Sequence, residues 1–81
     1  MLVEVRLFAR LRELCGCGRL ELRLPVGADA SSCLEMLSSQ YPPLAEMRNQ
    51  MLVAVNERYE DWSYVLEEGD VVAFIPPVSG G

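Results

Sequence analysis

The sequence has no lysine and no histidine, and all seven of its basic residues are arginines. Twelve acidic residues bring the formal net charge to −5, and the arginines form no basic stripe. Nucleic acid and anionic membranes are therefore poor partners, whereas a positively charged protein surface would suit this chain. The absence of lysine has two explanations that stay open: codon usage, or protection of an activated acyl group from attack by an amine.

Cysteine is scarce as well, with only Cys15, Cys17 and Cys33 in the chain. An odd count with C-x-C spacing matches neither a disulfide framework nor a zinc site, which needs four ligands at recognisable spacing. Cys33 lies in an apolar helical pattern, so we expect a small core residue there. Cys15 and Cys17 flank Gly16 in an expected turn and receive no role. We therefore expect no metal site and no cofactor bound by this chain.

Long apolar runs and nucleotide-binding motifs are also missing from the 81 residues. No segment has the length of a membrane span or the pattern of a signal peptide, so the expected location is the cytoplasm. A chain of this length forms one small domain without room for a deep pocket, which weighs against a self-contained enzyme. Because no G-x-x-x-x-G-K-[ST] motif is present, any step that uses ATP needs a separate protein.

Two segments near the start alternate between apolar and polar residues, which predicts two half-buried strands in a hairpin. The first, LVEVRLF, has Val3, Val5 and Leu7 on one side. The second, RLELRLP, points three leucines inward and ends at Pro25. The intervening ARLREL predicts a helical turn that stops at Gly16.

The rest of the chain predicts one main helix and the returning strands. Ser32 and Glu35 have the spacing of a capping box with Ser32 as the cap, and a diproline at 42–43 terminates this helix. MLVAVN and VVAFI are expected to be strands, with one short strand in the loop-rich stretch between them. A hairpin, a crossing helix and returning strands are the parts of a β-grasp, or ubiquitin-like, fold. We predict an α+β domain over residues 1–75, with a mixed sheet of four to five strands and one main helix on one face.

The last two main strands differ from the first two because they are apolar on both faces. One face can pack on the helix, but the other has no helix to cover it. Two interpretations stay open: an exposed apolar patch for a protein partner, or coverage by the 56–70 loop, with Trp62 and Tyr64 folding over. Phe74 is the leading candidate for a partner contact, because it lies nearest the C-terminal segment.

The sequence ends in PPVSGG, and we expect a flexible tail over residues 76–81. Pro76 and Pro77 have no amide hydrogen, so they cannot continue a sheet ladder, and together they keep the chain extended. The next two residues offer a partner little more than a small apolar side chain at Val78 and a hydroxyl at Ser79.

The closing diglycine predicts a terminus that works in a narrow space. Gly80 and Gly81 have no side chains, so a tunnel that excludes larger residues could admit them. The remaining functional group is the α-carboxylate of Gly81, which is ionised and needs activation, most simply as an adenylate made by another enzyme. Sulfur attack on that adenylate would give a thiocarboxylate, and nitrogen attack would join the chain to another molecule.

The segment LEEGDVVAFIPPVSGG resembles the C-terminal signature of the MoaD-type sulfur carriers, the small subunits of molybdopterin synthase. FARLREL and RNQMLVAVN are similar to that family too, so the resemblance covers essentially the whole chain. It implies that Gly81 is adenylated by a MoeB-like, ATP-using enzyme and converted to a thiocarboxylate. Gly80 would permit entry into a pocket of a MoaE-type large subunit, where cyclic pyranopterin monophosphate would receive the sulfur during molybdenum cofactor biosynthesis.

The resemblance also implies which residues contact the partner, namely Phe74 and the Pro76–Ser79 segment, in a heterotetramer built around a large-subunit dimer. Such a carrier has no catalysis of its own, although it is a subunit of a sulfurtransferase. Three other functions stay open. A ThiS-type carrier for thiazole synthesis would use the same terminal chemistry, but that family usually lacks the diproline. A ubiquitin-like modifier would join Gly81 to a lysine of its target, and a plain interaction module would leave the tail inert.

Overall fold

The computed structural model describes residues 1–76. Over that range the chain forms five strands, three α-helices and one 3-10 turn. The strands are β1 (Leu2–Leu7), β2 (Arg19–Arg23), β3 (Leu52–Val55), β4 (Arg58–Glu60) and β5 (Val71–Ile75). The helices are α1 (Ala9–Cys15), α2 (Ala30–Gln40) and α3 (Pro43–Glu46), and the 3-10 turn covers Arg48–Gln50.

The five strands form one mixed sheet in the order β2-β1-β5-β3-β4. The neighbours β1 and β5 are parallel, and the other three pairs are antiparallel. β1 and β2 make the expected N-terminal hairpin, with α1 in the connection, and α2 packs across one face of the sheet. The predicted α+β class, the mixed sheet and the single main helix are confirmed, and the arrangement is a β-grasp.

The core lies between α2 and the sheet face to which alternate strand residues point. Because side chains alternate along a strand, a strand with one buried face buries every second residue. The buried strand residues on this face are Val3, Val5, Leu7, Leu22, Val53, Val55, Val72 and Phe74. Cys33, Leu34 and Leu37 of α2 pack in the same cluster, which confirms that Cys33 is a small core residue. Burying each large apolar side chain contributes roughly 1.5–3 kcal/mol.

The N-terminus of α2 differs from the capping-box prediction. Asp29, not Ser32, is the N-cap, and its Oδ1 accepts hydrogen bonds from the backbone N (2.8 Å) and the Oγ (2.9 Å) of Ser32. The N-cap lies three residues before Ser32 and the helix itself begins at Ala30, so the prediction of a Ser32 cap is wrong. A carboxylate is the stronger acceptor at the positive end of a helix. These hydrogen bonds lower the pKa of Asp29.

The predicted end of α2 at the diproline is confirmed, and a glycine turn leads into β5. Pro42 and Pro43 follow the last residues of α2, and the chain then makes the short helix α3 and the 3-10 turn. Glu68, Gly69 and Asp70 turn the chain into β5, with Gly69 at a positive φ of 83°. Within residues 1–76, none of the helices has the length and apolarity needed to cross a membrane.

Candidate functional site

The sheet face opposite α2 is open, and it has a charged half and an apolar half. Strands β1 and β2 carry the charged side chains, and β5, β3 and β4 carry the apolar ones. The charged residues are Glu4, Arg6, Arg19, Glu21 and Arg23. The apolar residues are Leu52, Ala54, Tyr59, Val71, Ala73 and Ile75, and the sheet register pairs Ala54 with both Tyr59 and Ala73 and pairs Leu52 with Ile75.

A shallow concavity of about 250 Å³ lies in the apolar half. Its lining residues are Arg6, Phe8, Ala54, Glu57, Tyr59, Val71, Ala73 and Ile75. We call this concavity, together with the adjoining Leu52, the docking face. Three of its large side chains are well exposed, with 48% of Phe8, 55% of Leu52 and 68% of Tyr59 open to solvent. A contiguous cluster of exposed apolar side chains is typical of a protein–protein site.

The two interpretations of the apolar strands apply to opposite faces of the sheet. On the α2 side, the 56–70 loop does fold over the core, where Trp62 and Tyr64 pack against the buried cluster. On the other side, the alternate residues of β3 and β5 remain on the docking face. Trp62 and Tyr64 therefore cover the side that the helix already shares, whereas Glu57 and Tyr59 of the same segment line the docking face. Large apolar side chains on the side without a helix remain exposed.

Phe74 is not a partner contact, which corrects the prediction from the sequence. Its side chain is fully buried, and its ring stacks on Trp62 with 6.0 Å between ring centroids. The register explains this: Phe74 pairs with Leu7 and Val53, whose side chains also point into the core. Nearness to the C-terminal segment was the wrong criterion, because the side of the strand decides exposure.

In place of Phe74, the candidates for a partner contact on the docking face are Phe8, Tyr59 and Ile75. Phe8 follows Glu4 and Arg6 on the outward side of β1. It is therefore an apolar residue at a position where the alternation predicts a polar one. Tyr59 lies opposite Ala54 across the β3–β4 pair, and Ile75 is the last residue of β5. The alternation in β1 was a sufficient signal for Phe8, whereas β5 is apolar at every position and its pattern does not tell on which side Ile75 lies. Tyr59 required the register of a three-residue strand, which the sequence pattern does not supply.

Two backbone turns with left-handed residues border the docking face. Ala9 has φ 49° and turns the chain from β1 into α1 directly after Phe8. Asn56 and Glu57 have φ 51° and 70° and form the two-residue turn between β3 and β4. Asparagine tolerates this conformation, whereas alanine and glutamate are strained there. Strain of this kind is often found at functional sites.

A hydrogen-bond network fixes the Asn56–Glu57 turn to the start of β5. Asn56 Nδ2 donates to Asp70 Oδ1 (3.0 Å), and Asn56 Oδ1 accepts from the backbone N of Val71 (3.0 Å). The second carboxylate oxygen of the buried Asp70 accepts from the backbone N of Glu67 (2.8 Å). The rim of the docking face is therefore held by satisfied polar groups and does not depend on a partner for its shape.

The electrostatics of the chain are strongly uneven along its length. Residues 56–70 hold six of the twelve acidic residues and one arginine, so the whole net charge of −5 falls in this segment. The charged half of the open face differs, since it has three arginines and two glutamates. Within it, Arg6 Nε lies 2.7 Å from Glu4 Oε2, and Arg19 Nε lies 3.7 Å from Glu4 Oε1. The Arg6 hydrogen bond and the two nearby guanidinium groups lower the pKa of Glu4.

The C-terminal segment starts at the edge of the docking face. Pro76 follows Ile75 directly and is half-buried. The predicted sites at Pro77, Val78, Ser79, Gly80 and Gly81 lie outside the described residues. Among the residues that are described, no group of three or more histidine, cysteine or acidic side chains could hold a metal ion.

The sequence is similar to known proteins over almost its whole length. A model described as the ThiS family matches residues 5–81. The molybdopterin synthase sulfur carrier subunit of Arabidopsis thaliana is 42% identical over 79 residues, an alignment that covers 98% of this chain and 82% of that protein.

Solved structures share the fold. Small archaeal modifier protein 1 from Methanosarcina acetivorans superposes with a TM-score of 0.85 at 28% identity, and the match covers 99% of this chain and 96% of the other. A chain in the complex of subunits 1 and 2 of molybdopterin-converting factor from Helicobacter pylori superposes with a TM-score of 0.69 at 27% identity, with full coverage of both chains. These likenesses agree with the β-grasp architecture.

Proposed function

This chain belongs to the ThiS family, and we propose that it is the sulfur carrier subunit of a molybdopterin synthase. In this role Gly81 is adenylated, converted to a thiocarboxylate and used to give sulfur to cyclic pyranopterin monophosphate in the active site of a large subunit. The observation that carries the proposal is the near full-length similarity to a named sulfur carrier subunit, at 42% identity. The PPVSGG ending supplies the group that the chemistry needs.

The position of β5 supports delivery of the terminus to a partner. Ile75 lies in the docking face and the next residue, Pro76, starts the C-terminal segment. A partner that covers this face is therefore already beside the segment. Five further residues reach at most about 17 Å in extended form, so an acceptor site on that partner should lie within this distance of Pro76. Gly80 and Gly81 would pass where a side chain would not.

We propose the same face for both partners, used in turn. The large subunit receives the sulfur, and a MoeB-like enzyme that consumes ATP makes the adenylate. Both need the same terminus, so the two complexes exclude each other if both cover the docking face. A subunit 1–subunit 2 complex exists for the Helicobacter pylori protein, which supports a large-subunit partner. A heterotetramer with a central dimer of large subunits is part of the proposal, as is a cytoplasmic location.

Charge favours a basic surface on these partners. The net charge of −5 lies in residues 56–70, which include Glu57 at the edge of the docking face. A complementary positive surface would raise the rate of encounter, and the effect should weaken as salt is added.

The decisive experiment is intact-mass analysis of the protein isolated from its native cell. A carrier shows a form in which sulfur replaces one oxygen, and tandem fragmentation assigns the change to Gly81. Removal of Gly81 should abolish sulfur transfer and leave the circular dichroism spectrum unchanged. Transfer by the truncated chain, or a native protein that never carries the extra sulfur, would overturn the proposal.

A second candidate function is protein modification through Gly81. The structural similarity to small archaeal modifier protein 1 favours it, with a TM-score of 0.85. The same mass experiment separates the two functions, because a modifier appears as conjugates to lysine side chains of larger proteins. A ThiS-type carrier for thiazole synthesis is separated by co-purification, since it should not retain a MoaE-type large subunit.

A further inference from the structure

Cys15 and Cys17 occupy the C-terminus of α1, a site that the proposed function does not use. Cys15 is the last residue of the helix and is buried, whereas Cys17 is half-buried and packs against the same core cluster. Both are thiols in this structure. Gly16 lies between them as the helix C-cap, with φ 73° and ψ 9°.

The conformation of Gly16 sets the distance between the two cysteines. These angles are of the left-handed helical type, which glycine adopts without strain. In a helix of either hand the Cα atoms of residues i and i+2 are about 5.4 Å apart. Disulfides join Cα atoms that are roughly 4.4–6.8 Å apart, most often near 5.5–6 Å. The turn therefore holds Cys15 and Cys17 at a separation that a disulfide can bridge.

We infer that Cys15 and Cys17 form a reversible dithiol–disulfide pair, whose co-reactant is a low-molecular-weight disulfide such as glutathione disulfide. An isolated disulfide of this kind in a chain with only three cysteines would be a redox-active group and not a structural framework. This inference is independent of the sulfur-carrier proposal, since it concerns neither the docking face nor Gly81.

The exchange proceeds in two balanced steps. The Cys17 thiolate attacks one sulfur of glutathione disulfide, the S–S bond breaks, and one glutathione leaves as a thiolate that takes up a proton. The Cys15 thiol then loses its proton to solvent and attacks Cys17 Sγ, which releases the second glutathione. In total, two protein thiols are oxidised to one disulfide while one glutathione disulfide is reduced to two thiols.

Accessibility assigns the order of the two cysteines. Cys17 is the more exposed of the pair, so it meets the co-reactant first. Burial, with a smaller contribution from the neighbouring Cys17, raises the pKa of Cys15. Closure of the disulfide should therefore become faster as the pH rises, because a larger fraction of Cys15 becomes thiolate.

The third cysteine is a built-in control. Cys33 is fully buried in α2, and desolvation raises the pKa of its thiol to about 12. It should stay a thiol under conditions that oxidise the pair. Trypsin cleaves after arginine and so separates the two sites, because the peptide Glu13–Arg19 contains both Cys15 and Cys17 and excludes Cys33.

The test equilibrates the full chain in buffers with increasing ratios of oxidised to reduced glutathione, followed by N-ethylmaleimide, trypsin and mass spectrometry. The expected result is a Glu13–Arg19 peptide that loses two hydrogens and takes up no maleimide as the ratio rises. C15A and C17A should each prevent this loss, and C33A should leave the midpoint of oxidation unchanged. Circular dichroism checks the fold, and C17A suffices if C15A does not fold.

Three outcomes would overturn the inference. The first is a wild-type Glu13–Arg19 peptide that keeps one glutathione and one maleimide at every ratio. The second is oxidation that produces only disulfide-linked dimers of the chain. The third is loss of the two-hydrogen change in C33A, which would place Cys33 in the exchange.

Discussion

The indole of Trp62 lies almost flat against the ring of Phe74, with 6.0 Å between the ring centroids and 14° between the ring planes. The loop that carries Trp62 is fastened to α2, because the Trp62 carbonyl accepts from the backbone N of Ser31 (2.9 Å) and the Tyr64 carbonyl accepts from that of Ala30 (3.0 Å). Arg48 adds a cation–π contact, with its guanidinium carbon 5.3 Å from the Trp62 ring centroid. The first turn of α2 therefore positions the indole of Trp62, which covers Phe74 near the end of β5.

Replacement of Trp62 by alanine should destabilise the domain by about 2 kcal/mol, because it uncovers Phe74 and removes a half-buried aromatic ring. W62F keeps a stacking partner and should lose less than half as much. Urea unfolding followed by circular dichroism measures both variants. Equal losses in W62A and W62F would show that the stack on Phe74 is not what stabilises this region.

Replacement of Phe8 or Tyr59 by glutamate should weaken binding to the large subunit at least about tenfold, which corresponds to 1.4 kcal/mol. Phe8 is 48% exposed and Tyr59 is 68% exposed, so the unfolding free energy should fall by about 1 kcal/mol or less and the domain should stay folded. Isothermal titration calorimetry measures the affinity.

V26E is the matched control for these docking variants. Val26 is 90% exposed and follows β2 in the loop towards α2, outside the docking face. Its replacement adds the same charge, so its affinity should stay within about twofold of the wild type. If V26E weakens binding as much as F8E, the added charge and not the position causes the effect, and the assignment of the docking face fails.

The elements of this fold were accessible from the sequence because their signals are local. Alternation in LVEVRLF and RLELRLP produces β1 and β2, and the diproline at 42–43 ends α2. The sequence showed that β3 and β5 have a second apolar face, but not whether that face is exposed. Exposure depends on which residues the 56–70 loop covers, and that is a tertiary property.

Both wrong predictions applied a local rule at a position where a neighbouring residue in the folded structure decides the outcome. Ser32 has capping-box spacing, but Asp29 reaches the Ser32 amide and offers a charged acceptor to the same helix end. Phe74 is apolar and close to the C-terminal segment, but its pairing with Leu7 turns it into the core. Neither competition can be decided without the positions of both candidates.

Replacement of Glu57 by glycine should raise the unfolding free energy by about 1 kcal/mol. Glu57 has φ 70° in a two-residue hairpin turn after Asn56, where asparagine–glycine is the favoured pair. E57A is the control, because it removes the carboxylate but keeps the strained Cβ, and it should show no such gain. Urea unfolding compares them, and a gain shared by both variants would mean that charge repulsion, and not backbone strain, was relieved.

The N-cap residue Asp29 should make the unfolding free energy of the domain depend on pH in the acidic range. Hydrogen bonds from Ser32 lower the pKa of Asp29 below its ordinary value of 3.8. Because the folded-state pKa is the lower one, the contribution of Asp29 is fully present above the unfolded-state pKa and is lost as the pH falls through the folded-state pKa. The effect should be modest, since this carboxylate is close to solvent.

D29N and D29A separate the charge from the cap. Asparagine keeps an oxygen acceptor for the Ser32 amide, so D29N should stay within about 0.5 kcal/mol of the wild type at neutral pH, whereas D29A should lose about 1 kcal/mol. On acidification below pH 3.8, the value of the unperturbed carboxyl, the wild type should lose stability relative to D29N, because only the wild type must protonate this cap. Urea unfolding at a series of pH values measures the difference. A wild type and a D29N variant that fall in parallel would show that Asp29 is not protonated in this range, and that other carboxyl groups cause the loss.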